Sequence, residues 1–170
     1  MATVRAQFDP EGGQFLASAF PQFVKANGTN YPVSGLAYDA GADEAAFWKF
    51  NADNYGSGNL TLDIYWYADT ASFGTVAWEA SMAAITAYAD TQDIETDGLA
   101  AVQRFSDTHL GTVGQRLHKA TITISNLDSL ASGDSVFLRI ARDADDTGGG
   151  GDSMTGDAIL TLAELSYSDT

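Results

Sequence analysis

The chain has 170 residues, of which 23 are acidic and 8 basic, for a formal charge of -15; 45% are hydrophobic, 11% aromatic, and none is cysteine. A disordered chain would not carry so many aromatics, and the negative field makes nucleic acid and anionic membrane surfaces poor partners. Disulfides and thiolate metal sites are excluded outright.

In chain order, the opening MATVRAQFDPEGG lacks a signal-peptide core, and no apolar run anywhere reaches transmembrane length. The expectation is a protein made in the cytoplasm without Sec export. GQFLASAF and NYPVSGLAYD are short strand candidates, and residues 1–30 read as an arm or edge-strand segment. AAFWKF then places Ala46, Trp48 and Phe50 on one face. NLTLDIYWYAD alternates Leu60, Leu62, Ile64 and Trp66 against Thr61, Asp63, Tyr65 and Tyr67. TVAWEASM aligns Val76, Trp78, Ala80 and Met82. From Ile85 to His109 the rhythm breaks into a polar connection with at most one short helix around Leu99 to Phe105, of a length that usually crosses between sheets. KATITISNL and SVFLRIARD restore it, with Ala120, Ile122 and Ile124 on one face and Val136, Leu138 and Ile140 on another. AILTLAELSY fits a strand with either face inward, because Leu160 and Leu162 compete with Ile159, Ala163 and Leu165.

Period-two patterning punctuated by Gly, Asn and Asp predicts an all-β fold. The expected architecture is one domain over residues 1–170, an antiparallel β-sandwich of jelly-roll type with about eight strands and one long crossover connection. Trp48, Trp66 and Trp78 share faces with Leu and Ile and read as core. Tyr65 and Tyr67 point the other way, and with Asp63 and Tyr55 they form a candidate contact surface for a sugar or a neighbouring subunit.

Catalytic chemistry finds little support. The only histidines, His109 and His118, lie in polar surroundings and read as surface residues, without a serine in a nucleophile-elbow context. No Walker loop, dinucleotide fingerprint or zinc-protease motif is present, and the expectation is a non-enzyme without cofactors. The Asp/Gly loop between the last two strands offers Asp143, Asp145 and Asp152 as weak calcium candidates. Aligned as an EF-hand from Asp143, however, it has Thr147 at the fifth position and Met154 where a bidentate Glu is required. The reading preferred for this loop is a hairpin connection closed by an ionic clasp, with Arg139 and Arg142 pairing Asp143 and Asp157. On that reading Arg142→Ala loosens the loop without abolishing folding. Asn27-Gly28-Thr29 and Asn59-Leu60-Thr61 fit the glycosylation sequon and read as chance matches.

The segments EAAFWKFNADNYGSGNLTLDIYWYAD, TVAWEASM and GDSVFLRIARDADDTGGGGDSMTGDAILTLAELSY carry a further pattern. Trp48; Gly58, Leu60, Thr61, Leu62, Ile64 and Trp66; and Gly133, Asp134, Leu138, Arg139, Ile140, Arg142, Asp143, Gly156, Asp157 and Ala158 together resemble the small jelly-roll virion structural proteins of tailed bacteriophages. The resemblance implies a non-enzymatic particle component on the capsid surface, a decoration or cement protein that stabilises the coat lattice. Its implied partners are the major capsid protein or other virion proteins, and its implied state a homotrimer. The alternative is a carbohydrate- or receptor-binding tail or fibre module that uses the exposed tyrosines.

Overall fold

A computed structural model of the chain describes residues 3–69, 73–111 and 113–170. Among these residues ten strands form two antiparallel sheets, with one short 3-10 turn at Pro10–Gly12 and no α-helix. The strands are β1 (Thr3–Phe8), β2 (Gln22–Asn27), β3 (Pro32–Tyr38), β4 (Glu44–Asn51), β5 (Leu60–Ala68), β6 (Thr75–Ile85), β7 (Gln103–Thr108), β8 (His118–Ile124), β9 (Ser135–Arg142) and β10 (Ala158–Ser168). The fold is a jelly-roll β-sandwich. One sheet runs β2-β3-β10-β5-β8, with β1 also paired to β10; the other runs β4-β9-β6-β7.

The core follows from strand parity. Leu60, Leu62, Ile64, Trp66 and Ala68 of β5 face Val76, Trp78, Ala80 and Met82 of β6, joined by Ile122, Ile124, Val136, Leu138 and Ile140, all buried. Alternate residues of each strand point to one face, so a single apolar set per strand builds one core between the sheets. Trp66 and Trp78 meet edge to face at 6.2 Å, and Tyr38 meets Trp78 likewise at 5.2 Å.

The ambiguity of AILTLAELSY resolves into a β-bulge. The β10–β5 register shifts between Leu160 and Leu162. Ala158 and Leu160 face inward before the shift, and Ala163, Leu165 and Tyr167 after it. One extra residue flips the parity, so both apolar sets are used, each over half of the strand.

Three expectations change. GQFLASAF is not a strand, contributing the isolated bridge of Gln14 with Phe47 and the Ala19 carbonyl that accepts the Ala45 N–H, and the strand lies downstream at β2. No helix forms around Leu99 to Phe105; β7 begins at Gln103 and pairs β6 antiparallel. The 86–102 connection therefore returns to its own sheet, and the passage to the opposite sheet comes after β7, between it and β8.

Candidate functional site

The outer face of the six-stranded sheet carries a groove in two adjoining lobes, of about 390 Å³ and about 240 Å³. Tyr67, Ala26 and Gln115 line both lobes, so the Tyr67 ring sits where they meet. Parity puts it there, since Trp66 is turned into the core and its neighbour must face out. The larger lobe adds Tyr31, Val33, Leu117 and Thr161; the smaller adds Val24, Ile159, Lys25, Asp69 and Asp157. Tyr31 is 70% exposed on the hairpin between β2 and β3. Gly35 of β3 permits the packing beneath, because a Cβ there would lie 2.4 Å from Ile159 Cγ2 and 2.8 Å from the Leu160 carbonyl oxygen. Gln115 donates from Nε2 to the Asp69 carbonyl at 3.3 Å, and Thr161 donates to the Tyr65 carbonyl at 3.1 Å. Burial raises the Tyr67 phenol above its ordinary value and Asp69 adds to the shift, so the ring is a neutral donor at physiological pH. The arrangement offers aromatic faces and apolar walls with a few polar groups between them, which suits a ligand with both C–H faces and hydroxyls.

Of the residues expected to bind, Tyr67 lies in the groove. Tyr65 and Asp63 share its face but do not line it. Asp63 accepts from Thr121 Oγ1 at 2.6 Å and from Lys119 Nζ at 3.2 Å, and so serves the β5–β8 pairing. Tyr55 is a correction. It is 8% exposed, packs edge-on against Tyr167, and donates its hydroxyl to the Gly58 carbonyl. Tyr31, Gln115 and Leu117 were not anticipated, because turn and loop residues have no periodicity to betray their direction.

The clasp exists with different partners. Arg142 continues the inward parity of Val136, Leu138 and Ile140 and is 0% exposed. It grips Asp152 through Nε and Nη2, both at 2.9 Å, and donates to the carbonyls of Tyr38, Gly156 and Met154. Asp152 also accepts the Ala77 N–H, so the 143–157 loop is tied to β3 and β6 at once. Arg139, one step off that parity, faces outward and pairs Glu79, which also holds Arg104. Asp143 and Asp157 are therefore not the clasp acceptors. Asp143 instead accepts the Gly148 N–H and lies 3.5 Å from Arg104, while Asp157 points to the groove.

The calcium candidates separate in the same way. Asp152 is committed to Arg142. Asp143 and Asp145 converge instead with Asp43, which arrives from the β3–β4 turn, and one oxygen of each lies within 4.8 Å of the others. Asp43 Oδ1 already accepts the N–H groups of Ala144 and Asp145. The three carboxylates have the right chemistry for a hard cation, but their observed work is to tie two turns together.

No protein-family model matches this sequence, and no curated protein matches it. Similar solved structures exist. The CBM36-1 domain of a multidomain xylanase from the hindgut metagenome of Trinervitermes trinervoides superposes with a TM-score of 0.51 at 7% identity, covering 98% of this chain and 100% of that one. A CBM36 carbohydrate-binding module in complex with calcium and xylotriose gives 0.48 at 13% identity, covering 94% and 98%. CBM35 from Cellvibrio japonicus Abf62 gives 0.48 at 11% identity, covering 98% and 99%. At such identities the likeness is one of fold.

On the core side of the same sheet, and contrary to the surface reading, both histidines are buried. Their rings lie 4.8 Å apart, and His118 stacks on Trp66 at 4.8 Å. His109 braces the turn beyond β7, accepting the Gly111 N–H at Nδ1 and meeting the Gly114 carbonyl from Nε2. His118 Nε2 has no partner, and Nδ1 lies 3.8 Å from Asp107, which also accepts the Trp66 indole N–H. Burial lowers the His118 imidazole below its ordinary value of 6.5; Asp107 opposes this, while His109 and Arg116 reinforce it. A histidine depressed in the folded state takes up its proton more readily when unfolded, so its contribution is full above 6.5 and is lost as pH falls. Asp143 and Asp157, both raised chiefly by burial, act in the opposite direction. Between pH 7.5 and pH 5 the urea midpoint of His118→Phe, which keeps the ring contact without the titration, is expected to rise relative to that of the wild type as pH falls. Equal slopes would remove His118 as the cause.

Proposed function

We propose that the protein is a non-catalytic glycan-binding domain that takes a segment of a polysaccharide chain along the Tyr31–Tyr67 groove. The observation that carries this reading is Tyr67 at the meeting of two lobes, the larger walled mainly by apolar groups and the smaller adding Lys25, Asp69 and Asp157. A pyranose ring presents C–H groups to an aromatic face and hydroxyls at its rim, which matches that mixture. The fold shared with a CBM36-1 domain is supporting context. A sandwich hosts many functions, so the groove has to bear the argument.

The resemblance to tailed-phage virion proteins supports a particle setting for the domain. Between decoration of a coat lattice and receptor binding at a tail or fibre, the groove favours receptor binding. A trimeric state and a capsid partner belong to the first of these settings and stay with it as proposals.

Affinity electrophoresis through gels containing xylan, mixed-linked β-glucan or laminarin tests the reading. Retardation is expected in at least one gel, with Tyr67→Ala weakening it about 10-fold or more, near 1.4 kcal/mol, while lowering the melting temperature by about 4 °C or less. Equal retardation of the two proteins, or none across the panel, would count against the groove.

A further inference from the structure

The outer face of the four-stranded sheet holds a separate cavity of about 520 Å³. An ion-pair network forms part of its lining. Glu79 of β6 is 7% exposed; its Oε1 accepts from Arg104 Nε of β7 at 2.7 Å, and its Oε2 from Arg139 Nη1 of β9 at 3.1 Å. Arg104 Nε also lies 3.5 Å from Asp143 Oδ2, so two guanidiniums are balanced by two carboxylates. Sheet register puts them together. Glu79 is paired with Arg104 across β6 and β7, and Ser81, two residues along the same face, with Arg139 across β6 and β9.

Two polar groups in this lining have hydrogen-bonding capacity that the fold does not use. Ser81 lines the cavity and is 1% exposed, and its Oγ has no hydrogen-bond partner among the described residues. Arg139 gives one N–H bond to Glu79, and its Nε and Nη2 have no acceptor among those residues. A buried hydroxyl left unpaired is costly, and a ligand oxygen placed against Ser81 and Arg139 removes that cost. Leu99 and Val102, both exposed, supply an apolar wall to the same cavity.

Charge decides the class of ligand. A phosphate or carboxylate competes with Glu79 and Asp143 for the arginines, and it meets Asp43 in the same lining. A cation meets both guanidiniums. A neutral body with oxygens on one side and C–H groups on the other avoids both penalties.

Taking the ligand class from the glycan-binding reading, we infer that this cavity is a second glycan site. A sugar unit sets its oxygens against Ser81 and Arg139 and its C–H face against Leu99 and Val102. The site and the Tyr67 groove lie on opposite outer faces of a sandwich whose sheets are about 10 Å apart. Each therefore takes its own stretch of glycan, and one domain links two strands of a polysaccharide.

NMR titration with xylohexaose, a mixed-linked β-glucan hexasaccharide and laminarihexaose tests this, read at the backbone amides and the arginine Nε–H groups. In Tyr67→Ala, saturable shifts at Ser81, Arg104 and Arg139 are expected with at least one oligomer, while those at Gln115 and Thr161 of the groove disappear. Arg139→Met keeps the side-chain stem and leaves Glu79 its Arg104 partner, and is expected to weaken the second site about 10-fold or more. Ser81→Ala, which removes only the unpaired hydroxyl, is expected to weaken it about 3-fold or more. With Tyr67 present, neither change is expected to alter the response of Gln115 and Thr161. Shifts confined to Gln115 and Thr161 overturn the inference and leave the groove standing. So do shifts at Ser81 that neither variant weakens. Shifts at Ser81, Arg104 and Arg139 alone, with Tyr67 or without it, uphold the second site and remove the groove. No shift with any oligomer removes both.

Discussion

Arg142→Ala is expected to destabilise the protein by about 3–5 kcal/mol, lowering the melting temperature by roughly 6–20 °C. The reason lies in what the change leaves behind. The Asp152 side chain is 1% exposed and would become a buried carboxylate without its counter-ion, while the carbonyls of Tyr38, Gly156 and Met154 would lose their donor. This is far from the mild loosening that a surface clasp implies. The pair itself is worth less than its rupture, because two ions taken out of water recover only part of their solvation from each other. Arg142→Met/Asp152→Leu is therefore expected to be more stable than either single truncation. Arg142→Lys, which keeps the charge but loses the planar fork, should fall between wild type and Arg142→Ala. Urea denaturation of these three variants and of Asp152→Leu alone decides it, and a loss below about 1 kcal/mol for Arg142→Ala would mean that water fills the gap.

The second large effect falls on Trp66, and its neighbour supplies the contrast. Trp66 is fully buried, stacks on His118, meets Trp78 edge to face and donates its indole N–H to Asp107 at 2.9 Å. Trp66→Ala is expected to cost about 3–5 kcal/mol through the cavity it opens, and to disturb the two histidines with it. Tyr67→Ala, one residue along the same strand, is expected to cost about 1 kcal/mol or less while removing the ring at the centre of the groove. Denaturation midpoints measured beside oligosaccharide affinity separate the two. Similar losses of stability would show that Tyr67 is structural and that the groove has no aromatic floor of its own.

Much of this fold is legible in the sequence because β5, β8 and β9 are each buried on one face and solvated on the other, which imprints their period directly. The same parity contained two facts that are easy to pass over. Arg142 stands in line with Val136, Leu138 and Ile140, and His118 in line with Ala120, Ile122 and Ile124; both are inward for that reason alone. Charge and polar neighbours suggest the surface for each, and strand geometry overrides the suggestion. Partner choice was not legible. Asp152 wins Arg142 over Asp143 and Asp157 because an inward guanidinium can be reached only by a loop that folds back under β3, and nothing local to the sequence encodes that path. The groove was legible only at Tyr67. Tyr31 comes from a hairpin tip, Gln115 and Leu117 from the passage between sheets, and Ile159 from the stretch of β10 before its bulge. Their convergence is a product of topology.

The position of β10 has a temporal meaning. It is an inner strand, flanked by β5 along one side and by β3 and then β1 along the other, with Thr3 opposite Ser168. Until residues 158–168 have been synthesised, β1, the β2–β3 hairpin and the β5–β8 pair have no common neighbour, and the edges that β10 will cover stand open. Closing such distant pairings carries a loop-entropy cost that no local contact offsets in advance. That sheet therefore cannot be completed without β10, and its closure depends on the placement of this one strand.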